Sequence, residues 1–246
     1  MRIFSALSSF LLVGAAAAQS CSPSSSDVQV VQFGWALQYL LERYYSSQPL
    51  NSTFFTSAQN SSSANYFTNF QGIQRQNRLG VRAVQQLGSQ VPGFSAPRCN
   101  FTFPEAKDGQ TWVANAQKLE QSVFGAYIGL AAYTQSPQVS FLMARLAAQH
   151  SGHAYYILSN TQEPVFPSNS SSLVPAYSPD FVLQSGNQPG KLGDFLNGCV
   201  SAPSPPCGQK LTFGPLIAST GGGANASSSS ASPSGSATAF AKRLFY

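Results

Sequence analysis

The chain has 246 residues, of which 43% are hydrophobic and only 9% are charged, and its formal net charge is +5. This length is sufficient to bury a sizeable hydrophobic core. The positive charges are spread along the sequence without a basic run, which excludes the dense phosphate-binding surface expected of a nucleic-acid-binding protein. The composition therefore favours a globular protein that binds no nucleic acid.

Residues 1–18 have the pattern of a secretory signal peptide. Arg2 is followed by an apolar run of roughly a dozen residues and by small residues that end at Ala18. No later segment has the roughly 20 consecutive apolar residues that a membrane-spanning helix requires. We therefore predict cleavage after Ala18 and an exported protein with no membrane span, located extracellularly or in the cell wall.

The four cysteines and five glycosylation sequons agree with export. An even number of cysteines in an oxidising compartment favours two disulfides over a zinc site or a thiol nucleophile. Three pairings remain open, and the short proline-rich loop between Cys199 and Cys207 favours joining these two, which leaves Cys21 for Cys99. The sequons predict surface glycosylation at Asn51, Asn60, Asn100, Asn169 and Asn225.

Four segments have the three- and four-residue periodicity of amphipathic helices. They cover approximately residues 27–48, 64–87, 109–135 and 137–160. The connection between the second and the third, residues 88–107, contains three prolines and two glycines, so it is an irregular crossover and not a tight turn. Two helix pairs joined by one long connection form an all-α four-helix bundle with one crossover.

The remainder of the chain has no helical periodicity. Residues 161–218 are rich in proline, glycine and serine and are predicted to form a loop-rich, disulfide-stapled C-terminal extension. Residues 219–246 form a serine- and glycine-rich tail that is predicted to be disordered. With the signal peptide and a helical domain over residues 19–160, the chain is predicted to have four parts.

Two surface features are candidates for contact with a cell-wall polymer or a protein partner. Arg75, Arg78 and Arg82 lie one turn apart on the second predicted helix, a spacing that is also explained by an ordinary solvated face. The aromatic residues Phe166 and Phe181 of the extension, together with Tyr177, form the second candidate contact surface.

Each predicted helix carries a polar residue on or beside its apolar stripe. Glu120 lies on the stripe of the third helix, and the only two histidines, His150 and His153, lie on that of the fourth. Asn77 and Gln38 occupy similar places on the second and first helices. Because an unpaired polar group in a core costs about 1 to 3 kcal/mol, these side chains are expected to meet.

Four short stretches carry a family resemblance: DVQVVQFGWALQYLLERYY, RCNFTFP, LEQSVFGAYIGLA and GHAYY. In this order and spacing they resemble the ferritin-like domain of secreted fungal proteins and of the stress-response and plant desiccation-related proteins grouped with them. The resemblance covers about Asp27 to Asn160. It implies a ferritin-like four-helix bundle but little about activity, since many members of this family have no established one.

The resemblance also indicates where metal ligands would lie. Di-metal members of this fold take a glutamate from each of two helices and Glu-x-x-His from each of the other two. By position, Glu120 matches the glutamate of the third helix and His153 matches the histidine of the fourth. The remaining ligand positions hold Gln38, Asn77, Gly80 and His150. A single carboxylate does not balance the charge of two iron ions, so a degenerate centre without iron oxidation or iron storage is implied.

Two interpretations of the cluster remain. Glu120, His150 and His153 are the donor set of a two-histidine, one-carboxylate site for a single zinc, copper or iron ion. The alternative is a satisfied polar network in which Glu120 is hydrogen-bonded to both histidines, Asn77 and Gln38. The network is the leading interpretation: it predicts no cofactor, no catalytic residue, and a non-catalytic protein related to stress or development.

Established enzyme motifs are missing from the chain. The sequence contains no G-x-S-x-G elbow, no H-E-x-x-H motif and no phosphate-binding glycine loop after a predicted strand. This absence does not decide between the two interpretations of the cluster, and the chain is not assigned to any enzyme class.

Overall fold

The computed structural model describes residues 22–162, 164–169 and 173–205. These residues form helices and loops without any β-strand, which confirms the all-α fold class. The helices are α1 (Val28–Tyr45), α2 (Ser52–Phe55), α3 (Ser61–Ala64), α4 (Tyr66–Gly88), α5 (Gly109–Leu130), α6 (Pro137–Thr161), α7 (Pro179–Val182) and α8 (Gly193–Leu196). The predicted signal peptide and tail lie outside the described residues.

The four long helices pack as two pairs. α1 packs along α4 and α5 along α6, and residues 89–108 cross from one pair to the other. This arrangement is the four-helix bundle with one crossover that the periodicity predicts. α5 ends at Leu130, earlier than predicted, because residues 131–133 tighten into a 3-10 turn before the chain reverses into α6. In the part of the chain that is described, no helix is long and apolar enough to cross a membrane.

Side-chain caps fix where α5 and α6 begin. The carboxylate of Asp108 accepts a hydrogen bond from the Thr111 amide at 2.7 Å. The Ser136 hydroxyl accepts one from the Val139 amide at 3.4 Å, and Pro137 is the first residue of α6. These caps satisfy amide groups that have no partner within the helix. The capping residues in the sequence thus determine where both helices start. The start of each helix in turn determines how far along the bundle axis its polar residues lie.

Aromatic side chains fill one end of the core around Trp112, which is fully buried. The centroid of its ring lies 5.1 to 5.7 Å from those of Tyr44, Tyr45, Phe55 and Phe70. Aromatic pairs at such separations contribute about 0.5 to 1.5 kcal/mol each beyond their area burial. Because Tyr45 belongs to this cluster and also reaches the centre of the bundle, aromatic packing holds part of the candidate site in place.

The one disulfide among the described residues joins Cys99 of the crossover to Cys199 of the extension, with a Cα–Cα distance of 5.1 Å. The predicted pairs Cys199–Cys207 and Cys21–Cys99 are therefore wrong. The crossover and α8 lie side by side, since the amide of Thr102 donates to the carbonyl oxygen of Phe195. This tertiary contact brings together two cysteines that are 100 residues apart, which sequence spacing does not reveal.

We predict that Cys21 and Cys207, which both lie outside the described residues, form a second disulfide. The described segments nearest to them meet, because one cleft of about 400 Å³ is lined by Ser25 and Ser26 and also by Ser204 and Pro205. Cys21 directly precedes Ser22, and Cys207 follows Pro205 by two residues, each of which spans at most about 3.6 Å. Peptide mapping under non-reducing conditions is expected to recover Cys21 linked to Cys207, and a free thiol at either residue would contradict the pairing.

The C-terminal extension is built onto α5. The amide of Tyr177 donates to the carbonyl oxygen of Gly125 at 2.9 Å, and the amide of Gly190 donates to the Ser122 hydroxyl at 3.0 Å. The approach is so close that a Cβ atom at Gly129 would overlap the carbonyl oxygen of Tyr177. Glycine at this position therefore lets the extension lie directly on the helix.

Candidate functional site

Glu120, His150 and His153 meet in the interior of the bundle. Glu120 and His150 are fully buried, and His153 is 7% exposed. His150 Nδ1 lies 2.7 Å from Oε2 of Glu120, and His153 Nδ1 lies 3.3 Å from Oε1. The structure thus brings together all three residues that the helical stripes select, with one carboxylate between two imidazole rings.

Gln38 and Asn77 lie in a second layer around this group. Gln38 Oε1 is 3.0 Å from His150 Nε2, and Gln38 Nε2 donates to Asn77 Oδ1 at 2.9 Å. Both residues are fully buried. The expected hydrogen bonds from these two residues to Glu120 are wrong, because Gln38 contacts His150 instead and Asn77 contacts Gln38. Asn77 therefore influences the carboxylate only through two intermediate side chains.

Tyr45 is a direct partner of Glu120 that the sequence analysis does not identify. Its hydroxyl donates to Glu120 Oε1 at 2.9 Å. Tyr45 follows Gln38 by seven residues, which is two helical turns, so the two side chains lie on the same side of α1. This residue can be found in the sequence by following the face of α1 that carries Gln38 for two further helical turns.

Two more side chains contact the histidines. Gln76 Oε1 lies 2.6 Å from His153 Nε2, and Gln76 is exposed on α4. The ring of Tyr127 stacks on that of His150, with centroids 5.6 Å apart and planes inclined by 4°. Tyr127 lies on the stripe that contains Glu120, so its position is predictable, whereas nothing in the sequence distinguishes Gln76 from other surface glutamines.

The electrostatics favour an ionised carboxylate. Burial by itself raises the pKa of Glu120, but His153 and His150 outweigh it and lower this pKa to about 2. Burial lowers the pKa of His150 against the attraction of Glu120. Burial, followed by the charge of Glu120, raises the pKa values of Tyr45 and Tyr127 well above their usual range. At neutral pH Glu120 is therefore an anion, and both tyrosines keep their protons.

The His150 ring faces an oxygen on each side. Its Nδ1–H donates to Glu120, but Nε2 faces Gln38 Oε1, and a neutral imidazole has only one N–H. Rotating the Gln38 and Asn77 amides together by half a turn presents a donor to the neutral ring, and Asn77 Nδ2, which is buried without a partner, then donates to Gln38 Oε1. The lowered pKa of His150 favours this second orientation. The amide of Gln38 thus provides a hydrogen bond for either protonation state.

The family model described as "Ferritin-like domain" matches residues 26–163. The chain belongs to the ferritin-like family. No curated protein matches the chain at a significant level. The matched segment contains all four long helices and the whole polar cluster, so the candidate site lies inside the ferritin-like domain.

This ferritin-like domain does not fit a carboxylate-bridged pair of metal ions. Such a centre takes carboxylates from all four helices, whereas Glu120 is the only carboxylate in the potential ligand group found among the described residues. At Gly80, a Cβ atom would lie 2.5 Å from Cδ of Gln38. The Gln38 amide therefore occupies the space that a ligand side chain at position 80 would need.

The same residues do fit a single ion. One donor atom from each of Glu120, His150 and His153 can be chosen so that all lie within 4.8 Å of one another. Tetrahedral ligands at bond lengths of about 2.0 to 2.2 Å are separated by roughly 3.3 to 3.5 Å. The distance of 3.3 Å between His153 and Glu120 suits this geometry, whereas the 2.7 Å between His150 and Glu120 would have to lengthen. An ion would displace the protons that these contacts now share.

The other predicted contact residues are divided between surface and core. Arg75, Arg78 and Arg82 are exposed, and Arg78 lies 3.6 Å from Glu42, as on a solvated helix face. Phe166 is 74% exposed, whereas Tyr177 and Phe181 are buried. The predicted aromatic contact surface is therefore wrong for Tyr177 and Phe181, because both side chains belong to the hydrophobic core.

Proposed function

We propose that this protein is an exported ferritin-like domain in which a hydrogen-bonded polar network takes the place of a di-metal centre. It acts without catalysis, outside the cell or in the cell wall, in stress or development. The observation that carries this proposal is that both oxygens of Glu120 already have donors from the protein: His150 on one, and His153 and Tyr45 on the other.

The network is a sufficient reason for the cluster to persist without metal. A buried carboxylate is costly unless it is paired and hydrogen-bonded, and the donors around Glu120 come from α1 and α6 while Glu120 itself belongs to α5. Through Gln38 and Asn77 the network also reaches α4. It therefore links all four helices and favours one alignment of the bundle over others.

Three observations support export. The Cys99–Cys199 disulfide is typical of oxidising compartments. The sequon residues Asn51, Asn60, Asn100 and Asn169 are all exposed, as glycan attachment requires, while Asn225 lies outside the described residues. The N-terminal sequence has the signal-peptide pattern. Glycosylation at these positions stays a prediction.

Expression of the full chain in a eukaryotic host tests export directly. We expect the protein in the medium, with an N-terminal sequence that begins at Gln19, because cleavage is predicted after Ala18. Edman sequencing or mass spectrometry of the secreted chain gives the new terminus. Retention inside the cell with Met1 still present would contradict the exported location.

The second candidate function is a mononuclear metal protein that binds zinc, copper or iron through Glu120, His150 and His153. The observation that favours it is the grouping of the three donor residues within the bundle. His153 is the only one of the three with any exposure, and it lies under the exposed Gln76. An ion arriving from solvent would therefore meet His153 first.

Metal content decides between the two candidates. For protein secreted without a histidine tag, inductively coupled plasma mass spectrometry is expected to find no stoichiometric zinc, copper or iron, even after incubation with each ion. About one ion per chain, lost in both Glu120→Ala and His153→Ala but kept in Lys118→Ala, would establish the second candidate instead. Lys118 is a suitable control because it is exposed on the same helix as Glu120.

A further inference from the structure

A separate cleft lies between α5 and the loop that connects α7 to α8. Its volume is about 390 Å³, which falls in the range of roughly 300 to 1,000 Å³ typical of small-molecule sites. Lys118 and Ser122 of α5 line one side, and residues 186–189 with Lys191 line the other. None of these residues belongs to the central cluster, so the cleft is an independent feature of the molecule.

The charged groups that line the cleft all have the same sign. Lys118 and Lys191 contribute two ammonium groups, and no aspartate or glutamate is among the lining residues. Asp194 lies outside the lining, and its carboxylate accepts a hydrogen bond from the Gly186 amide at 3.0 Å. Two lysines in a concave site without a lining counter-charge favour an anionic ligand.

The uncharged lining has the composition of a site for hydroxyl groups. It includes four side-chain amides, each of which both donates and accepts hydrogen bonds: Asn115, Gln121, Asn187 and Gln188. The apolar side chains of Leu119, Leu192 and Phe195 complete the lining. Amides beside apolar carbon match a ring that carries hydroxyl groups and exposes C–H faces between them.

The wall formed by the loop is already fixed by hydrogen bonds. The Gly190 amide donates to the Ser122 hydroxyl at 3.0 Å, and the Lys191 amide donates to the carbonyl oxygen of Gln188 at 3.1 Å. The ammonium group of Lys191 lies 5.6 Å from the ring centroid of Phe181, a cation–π contact. Because these contacts hold the loop before a ligand arrives, binding does not require the wall to become ordered.

We propose that this cleft binds a small sugar acid, either free or as a unit of an acidic polysaccharide. Lys118 and Lys191 pair with the carboxylate, and the side-chain amides bind the hydroxyl groups. This inference does not depend on whether the central cluster holds a metal ion. It adds an organic ligand class, which the ferritin-like domain alone does not indicate.

The proposal is tested by titrating the full secreted chain with galacturonic acid and its short oligomers. Galactose, the uncharged sugar of the same stereochemistry, is the control ligand. In heteronuclear NMR or calorimetry we expect saturable binding of the acids and none of galactose at the same concentration. The double variant Lys118→Gln/Lys191→Gln is expected to bind about tenfold more weakly or worse, since two charge-assisted contacts are lost. Oligomers that bind more tightly than the monomer indicate a polysaccharide, and equal affinities indicate a free sugar acid.

Arg145→Gln is the control variant, because Arg145 is exposed on α6 and does not line the cleft. It is expected to bind the acids as the parent does. Thermal unfolding of each variant establishes that it is folded before it is titrated. Equal binding of acid and neutral sugar, no loss of affinity in the double lysine variant, or no binding of galacturonic acid and its oligomers would each overturn the proposal.

Discussion

Replacing Glu120 with alanine is expected to lower the free energy of unfolding by about 3 to 5 kcal/mol. The substitution removes the acceptor for His150, His153 and Tyr45, and buried donors without a partner are costly. It also leaves a cavity where the carboxylate was. Urea unfolding in the presence of a chelator measures the change, because removing metal separates this effect from any ion binding.

The matched control is Lys118→Ala, two residues earlier on α5 and exposed to solvent. This substitution is expected to change the free energy of unfolding by no more than about 0.5 kcal/mol. Glu120→Gln keeps the shape of the side chain and one acceptor oxygen, so an intermediate loss is expected. A Glu120→Ala protein as stable as the parent would show that the network does not support the fold, and the leading proposal would lose its basis.

Gly129→Ala is expected to displace the extension from α5 and to lower the free energy of unfolding by about 3 kcal/mol, the upper end for an overpacked core. The added methyl group overlaps the carbonyl oxygen of Tyr177, which is main chain and cannot turn aside as a side chain can. Limited proteolysis of residues 175–190 is expected to become faster, while the Cys99–Cys199 disulfide keeps the displaced segment attached. Urea unfolding provides the stability measurement.

Gly72→Ala is the control for this substitution. Gly72 lies within α4, and nothing lies within 4 Å of a Cβ atom built there. Alanine is favoured over glycine in a helix by about 1 kcal/mol, so this variant is expected to be more stable than the parent. If both variants changed stability in the same direction and by the same amount, the close approach of Tyr177 would not be the cause.

The helices and the centre of the site are predictable because both depend on local periodicity. A residue on the apolar stripe of a helix has to face the core wherever that helix is placed, so Glu120, His150 and His153 are identifiable without knowing the packing. The order of two helix pairs and a proline-rich connection then limits the bundle to one crossover. All of these inferences use information within one helix or one connection.

The features that the sequence does not reveal depend on how separate elements align. Gln76 contacts His153 only because α4 and α6 pack with one particular axial alignment, and no local sequence pattern encodes that alignment. The Cys99–Cys199 pair depends on the path of the extension back to the crossover, which spacing along the chain cannot give. The short helices α2 and α3 lie in a segment of serine and asparagine whose composition resembles that of an ordinary loop.

The packing of Gln38 against Gly80 also limits which substitutions these two positions accept. Any side chain gained at position 80 meets the Gln38 amide, whose Cδ would lie 2.5 Å from the new Cβ atom. A change of Gln38 to glutamate alone would place a second buried carboxylate across the His150 ring from Glu120, which is costly in the absence of a metal ion. Introducing ligand side chains at positions 38 and 80 would therefore require both residues to change together.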